Sequence, residues 1–298
     1  MTKQLSNYTR RSLLTISESA LRRADVLGVI PTPLEEVART AGVRDIVDIS
    51  QLPDDIVAKK PSAWRRIVGA YLFREAVQFI DRSQSDCRER FTIGHETGHK
   101  IVPWHGPSYK IDDEDGLFRE ARIQLEAEAN LVSSYLIFQG MGFMREALAY
   151  EVSIETPLFL ADRYGASRHA AIHYYAEHHP DPIAVAIVGR YPGLSRRVPV
   201  WNVVASPAFF PNFGNLDAFL ESGMLNVGEV DANAAGTTAR RALVSPEPVV
   251  REEVGLVDIN GKSHDFYLEG FFNLRCVFLM LSPKTRLRGG RPIRVEAA

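Results

Sequence analysis

The sequence predicts an α+β protein, mainly helical through residue 180 and strand-rich after it. Three observations carry that reading. Apolar residues recur at helical spacing in long segments before residue 180. Pro180 and Pro182 then mark a boundary. Beyond it short apolar runs alternate with turn signals, and Asn260-Gly261 separates two of them, a dipeptide suited to a two-residue hairpin turn with positive φ. We divide the chain into residues 1–143, a smaller helical unit at 144–180, and a C-terminal α+β domain at 181–298.

Taken in order, residues 10–28 predict a helix through Leu13, Leu14, Ile16, Leu21, Val26 and Leu27. Pro31 and Pro33 break it. Thr32 can cap a second helix, Leu34–Ala41, with Pro33 at its first position and Gly42 as its stop. Residues 46–56 are short, mixed and loop-like. The apolar run Trp64–Val68 follows, then Ala70–Ile80, read as a strand or strand pair. A helix from Cys87 to about Pro103 comes next. Residues 104–117 hold Asp112-Asp113-Glu114-Asp115, whose spacing does not fit a calcium-binding EF-hand, so the segment is read as a solvated loop. A long helix, Phe118–Phe138, is rich in good helix formers.

A helix opening at Ser153 or Thr156 and ending at Arg163, the turn Tyr164–Ser167, and a helix Arg168–His178 form a helix-turn-helix pattern. Strands are expected at 183–188 and 198–204, a short helix at 215–224, a hairpin at 254–268 and a buried strand at 274–281. The basic tail 284–294 reads as solvated.

A formal net charge of −2 gives no global argument for a nucleic-acid or membrane partner. Two cysteines, Cys87 and Cys276, provide neither a disulfide framework nor a multi-thiolate metal site. The opening residues lack an apolar signal core, and no run of about 18 apolar residues occurs. The expected location is the cytoplasm.

The chemistry concentrates at His95-Glu96-Thr97-Gly98-His99. Residues i and i+4 share a helix face, so His95 and His99 can hold one metal ion. Glu96, beside the first ligand, is placed to act as a base. Gly98 lets another backbone come close. Two imidazoles suit zinc, and a catalytic zinc wants a third protein ligand and an open position. The ligand set also suits manganese or iron, with geometry and availability deciding. The third ligand should come from Glu126-Ala127-Glu128-Ala129-Asn130. Glu126 and Asn130 share a face, so one can bind metal while the other supports a ligand. Glu128 lies about 200° round the helix and cannot serve at the same time. Both faces carry apolar residues, so pattern alone favours Glu126 only slightly.

These residues carry a resemblance. Arg90-Phe91-Thr92-Ile93-Gly94-His95-Glu96-Thr97-Gly98-His99, followed by Glu126-Ala127-Glu128-Ala129-Asn130, resembles the ImmA/IrrE family of zinc metallopeptidases. The resemblance implies a zincin-like domain with His95, His99 and Glu126 as zinc ligands and Glu96 as the catalytic carboxylate. Length and the added domain are closer to the IrrE type, whose C-terminal domain is GAF-like and sensor-like. A departure lies after Asn130, where Leu131–Gly140 replaces the family's Phe-Ala-Ala and its later proline. That bears on the cleft edge and on substrate choice.

The mechanism also needs an oxyanion donor. Tyr109, Tyr135, His105 and His173 are the candidates, and the sequence does not choose among them. His169, His178 and His179 read as surface residues. The function expected is endopeptidase cleavage of a protein, by family analogy a helix-turn-helix repressor in a stress or mobile-element response. A small-molecule effector at the C-terminal domain is a further expectation. The alternative is a DNA-binding transcriptional regulator whose metal site is structural, motivated by residues 155–178. Against DNA binding, Arg168–His178 has one arginine and no lysine, whereas phosphate neutralisation needs several basic side chains.

Overall fold

A computed structural model describes residues 5–51, 68–108, 119–189, 197–216, 220, 223–227, 233–245 and 247–284. The chain divides into two compact units. One is Met1–Phe143 with Arg163–Ser167, the other Met144–Asp162 with Arg168–Ala298.

The first unit opens with helix α1, Asn7–Arg23, capped by the Ser6 side chain, which accepts from the Thr9 N–H. It stops short of the expected residue 28 because the chain turns through Asp25 and Gly28, both at positive φ. Helix α2 is Leu34–Thr40, with Pro33 as its N-cap and no side-chain cap bond. The Thr32 hydroxyl is used elsewhere, donating to the Leu136 carbonyl at 2.9 Å. Residues 45–48 are a strand, β1, rather than loop. Its mixed sequence gives little local signal, and its partner is distant: β1 pairs in parallel with β3, Val77–Ile80. On the other side β3 pairs antiparallel with β2, Gly69–Leu72. Of the apolar run expected at 64–68, residues 64–67 lie outside the described residues.

Helix α3, Asp86–Ile101, carries Asp86 and Glu89 in its first turn, where acids meet the positive end of the helix dipole. Helix α4, Arg119–Ile137, packs against α3 and α1. Gly98 makes the close approach: a Cβ there would stand 3.2 Å from the Ala129 Cα and carbonyl oxygen. At Gly94, one turn earlier, it would stand 3.3 Å from the Ser133 Cα. Two hydroxyl bonds fix α3 further. Ser133 of α4 donates to the Phe91 carbonyl at 2.8 Å, and Thr97 accepts from Gln78 of β3 at 3.0 Å. The departure after Asn130 ends in Gln139 and Gly140, both at positive φ. The Gln139 amide nitrogen holds the loop after α1, sharing its two N–H groups among the Val26 and Val29 carbonyls and the Thr32 hydroxyl.

The second unit contains most of α5 (Gly142–Ala147) and of α6 (Glu155–Tyr164), followed by α7 (Arg168–His178). His179 is buried, contrary to a surface reading, and its Nδ1 accepts from the Asp181 N–H at 3.0 Å. An antiparallel sheet follows, built from β4 (Ala184–Val188), β5 (Arg197–Ala205), β6 (Met224–Asn226), β7 (Val249–Val257), β8 (Ser263–Phe272) and β9 (Val277–Pro283). Their spatial order is β6-β5-β4-β9-β8-β7. Helix α8 lies at Phe209–Phe213, and α9, Ala234–Val244, packs on β7, β8 and β9.

The helix expected over 215–224 is replaced at its end by β6 and lies partly outside the described residues. The hairpin loop is longer than two residues. Asp258 still pairs with Lys262, leaving Ile259, Asn260 and Gly261, the last at φ 82°. Three-residue loops use such a glycine. The final strand starts at Val277 because Leu274, at φ 70°, belongs to the preceding turn. Among the described residues no helix is long and apolar enough to cross a membrane. The basic tail lies outside them beyond Lys284.

Candidate metal centre

His95 and His99 sit one turn apart on α3, as the helical repeat requires. Their Nε2 atoms are 3.1 Å apart. Helix α4 brings Glu126 to them, with one carboxylate oxygen 3.2 Å from His95 Nε2 and the other 3.6 Å from His99 Nε2. Ligands at 2.0–2.1 Å from a tetrahedral zinc stand roughly 3.3 Å from one another. The three side chains therefore have the spacing such an ion needs. Glu126 is nearly half exposed whereas His99 is buried, so the cluster faces solvent on one side.

The ring nitrogens pointing away from the cluster are also occupied. His95 Nδ1 lies 2.9 Å from the Asn130 side-chain oxygen, to which it donates. His99 Nδ1 lies 2.9 Å from His105 Nδ1, and His105 Nε2 lies 3.1 Å from a Glu128 carboxylate oxygen. That oxygen also accepts from the Trp104 indole at 2.6 Å, and the other Glu128 oxygen accepts from Gln124 at 2.9 Å. The two Nε2 atoms and the Glu126 carboxylate approach at 3.1–3.6 Å, a spacing at which their lone pairs repel unless a cation or proton lies among them. The donor set fits a divalent metal.

Charges follow from burial. Glu96 is 6% exposed, and burial pushes its carboxyl up to about 7 against the pull of His95. Burial and the neighbouring His95 push His99 down to about 3. For His95 burial acts downward, but the bond to Glu126 and the charge of Glu96 win and raise it. Burial also works against ionising Glu128, yet bonds from His105, Gln124 and Trp104 hold its carboxyl below the ordinary value.

Glu96 does not join the three ligand atoms. It lies beside β2, where a Cβ on Gly69 would fall 2.9 Å from its Oε1. The sequence reading missed this glycine, and a close helix–strand approach was its only signal.

The candidate oxyanion donors fare differently. Tyr109 lies outside the described residues. Tyr135 is buried in α4, nine residues beyond Glu126 and so about 180° round the helix from it. His105 is fully buried, with both ring nitrogens turned to His99 and Glu128. His173 is on α7 in the other unit, 3.8 Å from Glu177. The structure thus places Tyr135 in the core and His105 between His99 and Glu128. The His99–His105 contact was missed because His105 lies beyond the end of α3, with no periodicity to place it.

Paired histidines on one helix, a buried glutamate beside them and a carboxylate from a second helix form a donor set that could hold a metal ion. Residues 57–174 match the family described as IrrE N-terminal-like domain, Peptidase_M78. Among solved structures, a Mycobacterium tuberculosis transcriptional regulator is similar, with TM-score 0.53 and 15% identity over 91% of this chain and 87% of that one. At that identity the likeness is one of fold. None of the curated proteins matches the chain.

Proposed function

We propose that the chain is a zinc-dependent endopeptidase whose substrate is a helix-turn-helix transcriptional repressor, acting in a stress or mobile-element response. One observation carries the chemistry: two imidazole nitrogens of the helix that bears buried Glu96 and the two oxygens of the Glu126 carboxylate approach at 3.1–3.6 Å. The repressor substrate rests on the family alone.

In this reading His95, His99 and Glu126 hold the ion, and Asn130 orients the His95 ring. Zinc there supplies Lewis acidity toward a carbonyl and acidifies water. Glu96 takes the proton of the attacking water and delivers it to the leaving amine. Burial already brings its carboxyl to about 7, the range in which a base works at neutral pH, and a neighbouring cation draws it lower. Half-exposed Glu126 leaves the cluster a side from which a peptide can approach.

The test is Glu96→Gln, assayed against a helix-turn-helix repressor taken from the neighbouring genes, with fragments read by mass spectrometry. The variant should bind one zinc and release no fragments. Cleavage at the wild-type rate would remove Glu96 from the mechanism.

A DNA-binding regulator with a structural metal is the competing reading, and the regulator among the structural neighbours keeps it in view. The helix it would need, α7, supports it poorly. Arg168 sits over the Phe271 ring and His169 packs edge-on to Phe278, and those first residues are the ones a recognition helix offers to bases. A salt-sensitive, sequence-specific shift of duplex DNA would favour it.

The effector reading has a candidate seat in the second unit. A cavity of about 310 Å³ is lined by Pro180, Pro182, Phe213, Asp258, His264 and Phe266. Its size suits a small ligand, and calorimetry with the full chain tests it.

A further inference from the structure

We propose that His105 and Glu128 form a positioning relay that fixes which nitrogen of His99 faces the metal. The inference rests on the metal-centre reading above and assigns roles to two residues outside the ligand set.

The argument is one of donors and acceptors. The Glu128 carboxylate is buried, 1% exposed, and its oxygens accept from Trp104 and Gln124. A carboxylate has no proton to give, so the 3.1 Å contact with His105 requires a proton on His105 Nε2. In a neutral imidazole the other nitrogen is then an acceptor. With His105 in that neutral form, its Nδ1, 2.9 Å from His99 Nδ1, accepts and His99 donates there. With its proton on Nδ1, His99 presents a bare Nε2 toward His95 and Glu126, the form a metal ligand requires. The chain Glu128–His105–His99 extends the common carboxylate–histidine–metal arrangement by one imidazole.

Placement argues for the same role. Full burial of His105 denies its nitrogens water, so each must be satisfied inside the protein. Glu128 projects from the turn of α4 that also carries Glu126 and Asn130. One short segment thereby supplies a ligand and the supports of both histidines: Asn130 acts on His95 directly, and Glu128 acts on His99 through His105.

The test uses the full chain and three variants, His105→Phe, Glu128→Ala and His105→Gln. Glutamine can both accept from His99 and donate to Glu128, so it should rescue. Zinc affinity is read by competition with a chromophoric chelator well below the melting temperature. The His99 tautomer is read from imidazole ¹⁵N shifts of the metal-free protein. Loss of the relay should weaken zinc binding roughly 10–100-fold, the usual cost of such supports, and shift the His99 proton from Nδ1 toward Nε2. His105→Gln should stay within a few-fold of wild type. A merely structural role would lower melting temperature yet leave affinity and tautomer unchanged, and that result in folded His105→Phe would overturn the relay. A zinc-loaded wild type that cuts no repressor would instead defeat the endopeptidase reading and leave the relay standing.

Discussion

Replacing Gly98 by alanine tests whether the close approach of α3 and α4 builds the centre. The added methyl would lie 3.2 Å from the Ala129 Cα and carbonyl oxygen and 3.3 Å from the Val132 Cβ. Carbon contacts are comfortable at roughly 3.5–4.0 Å. Two of those three atoms are backbone and cannot rotate away, so the helices must part by roughly 0.3–0.8 Å. Overpacking costs roughly 1–3 kcal/mol, and exchanging a mid-helix glycine for alanine returns about 1 kcal/mol. The net loss should be only about 0–2 kcal/mol, so the variant should fold. Glu126, however, sits one turn before Ala129 on the displaced helix, with its oxygens at 3.2 and 3.6 Å from the two imidazoles. Parting of that size spoils the ligand spacing. Zinc affinity should therefore fall about 10-fold or more, comparable to loss of a supporting residue. The assay pairs chelator competition with thermal melts. Gly255→Ala serves as a control, since its methyl would meet only the Ser263 hydroxyl at 3.7 Å. Wild-type zinc affinity in folded Gly98→Ala would refute the idea that this contact sets the position of Glu126.

The buried centre should also leave a pH signature in metal-free protein. Burial lifts Glu96 from 4.5 to about 7, so the folded chain keeps a proton that the unfolded chain has lost, and this group's contribution to stability falls as pH rises across that window. His99 is pushed from 6.5 down to about 3, so its contribution rises with pH between those values and opposes Glu96 below 6.5. Glu96→Gln removes this falling part and lessens that of His95, whose upward shift owes partly to the charge of Glu96. Melts of chelator-treated protein should show the variant gaining on wild type between pH 5 and 7.5, and a pH-independent gap would contradict the assignment. In the second unit, buried Glu269 accepts from Ser153 at 2.9 Å, from the Ile154 N–H at 2.7 Å and from Arg251 at 2.6 Å. Glu269→Ala should cost about 3 kcal/mol, read by denaturant unfolding, and a change below about 0.5 kcal/mol would show the network to be dispensable.

Local rules made parts of this protein legible without coordinates. The His95–His99 pairing needs only the helical repeat, and Asn260-Gly261 marked the hairpin through the conformational freedom of its glycine, though not its three-residue loop. Both were readable because neighbours in sequence are neighbours in space. Strand β1 was not readable, since its hydrogen bonds come from β3, about thirty residues on. The direction of each glutamate around α4 also follows from its position in the helix. Which of them meets the histidines depends on how α4 crosses α3, and that is fixed by the bare backbone at Gly94 and Gly98. Tyr135 and His105 had the right chemistry to be oxyanion donors, and packing gave one to the core and the other to His99. The sequence by itself determined that two imidazoles and a glutamate share one helix. Only tertiary structure decided which carboxylate meets them, and it offers a bonding pattern for which imidazole nitrogen carries the proton, because both depend on partners that no local periodicity connects.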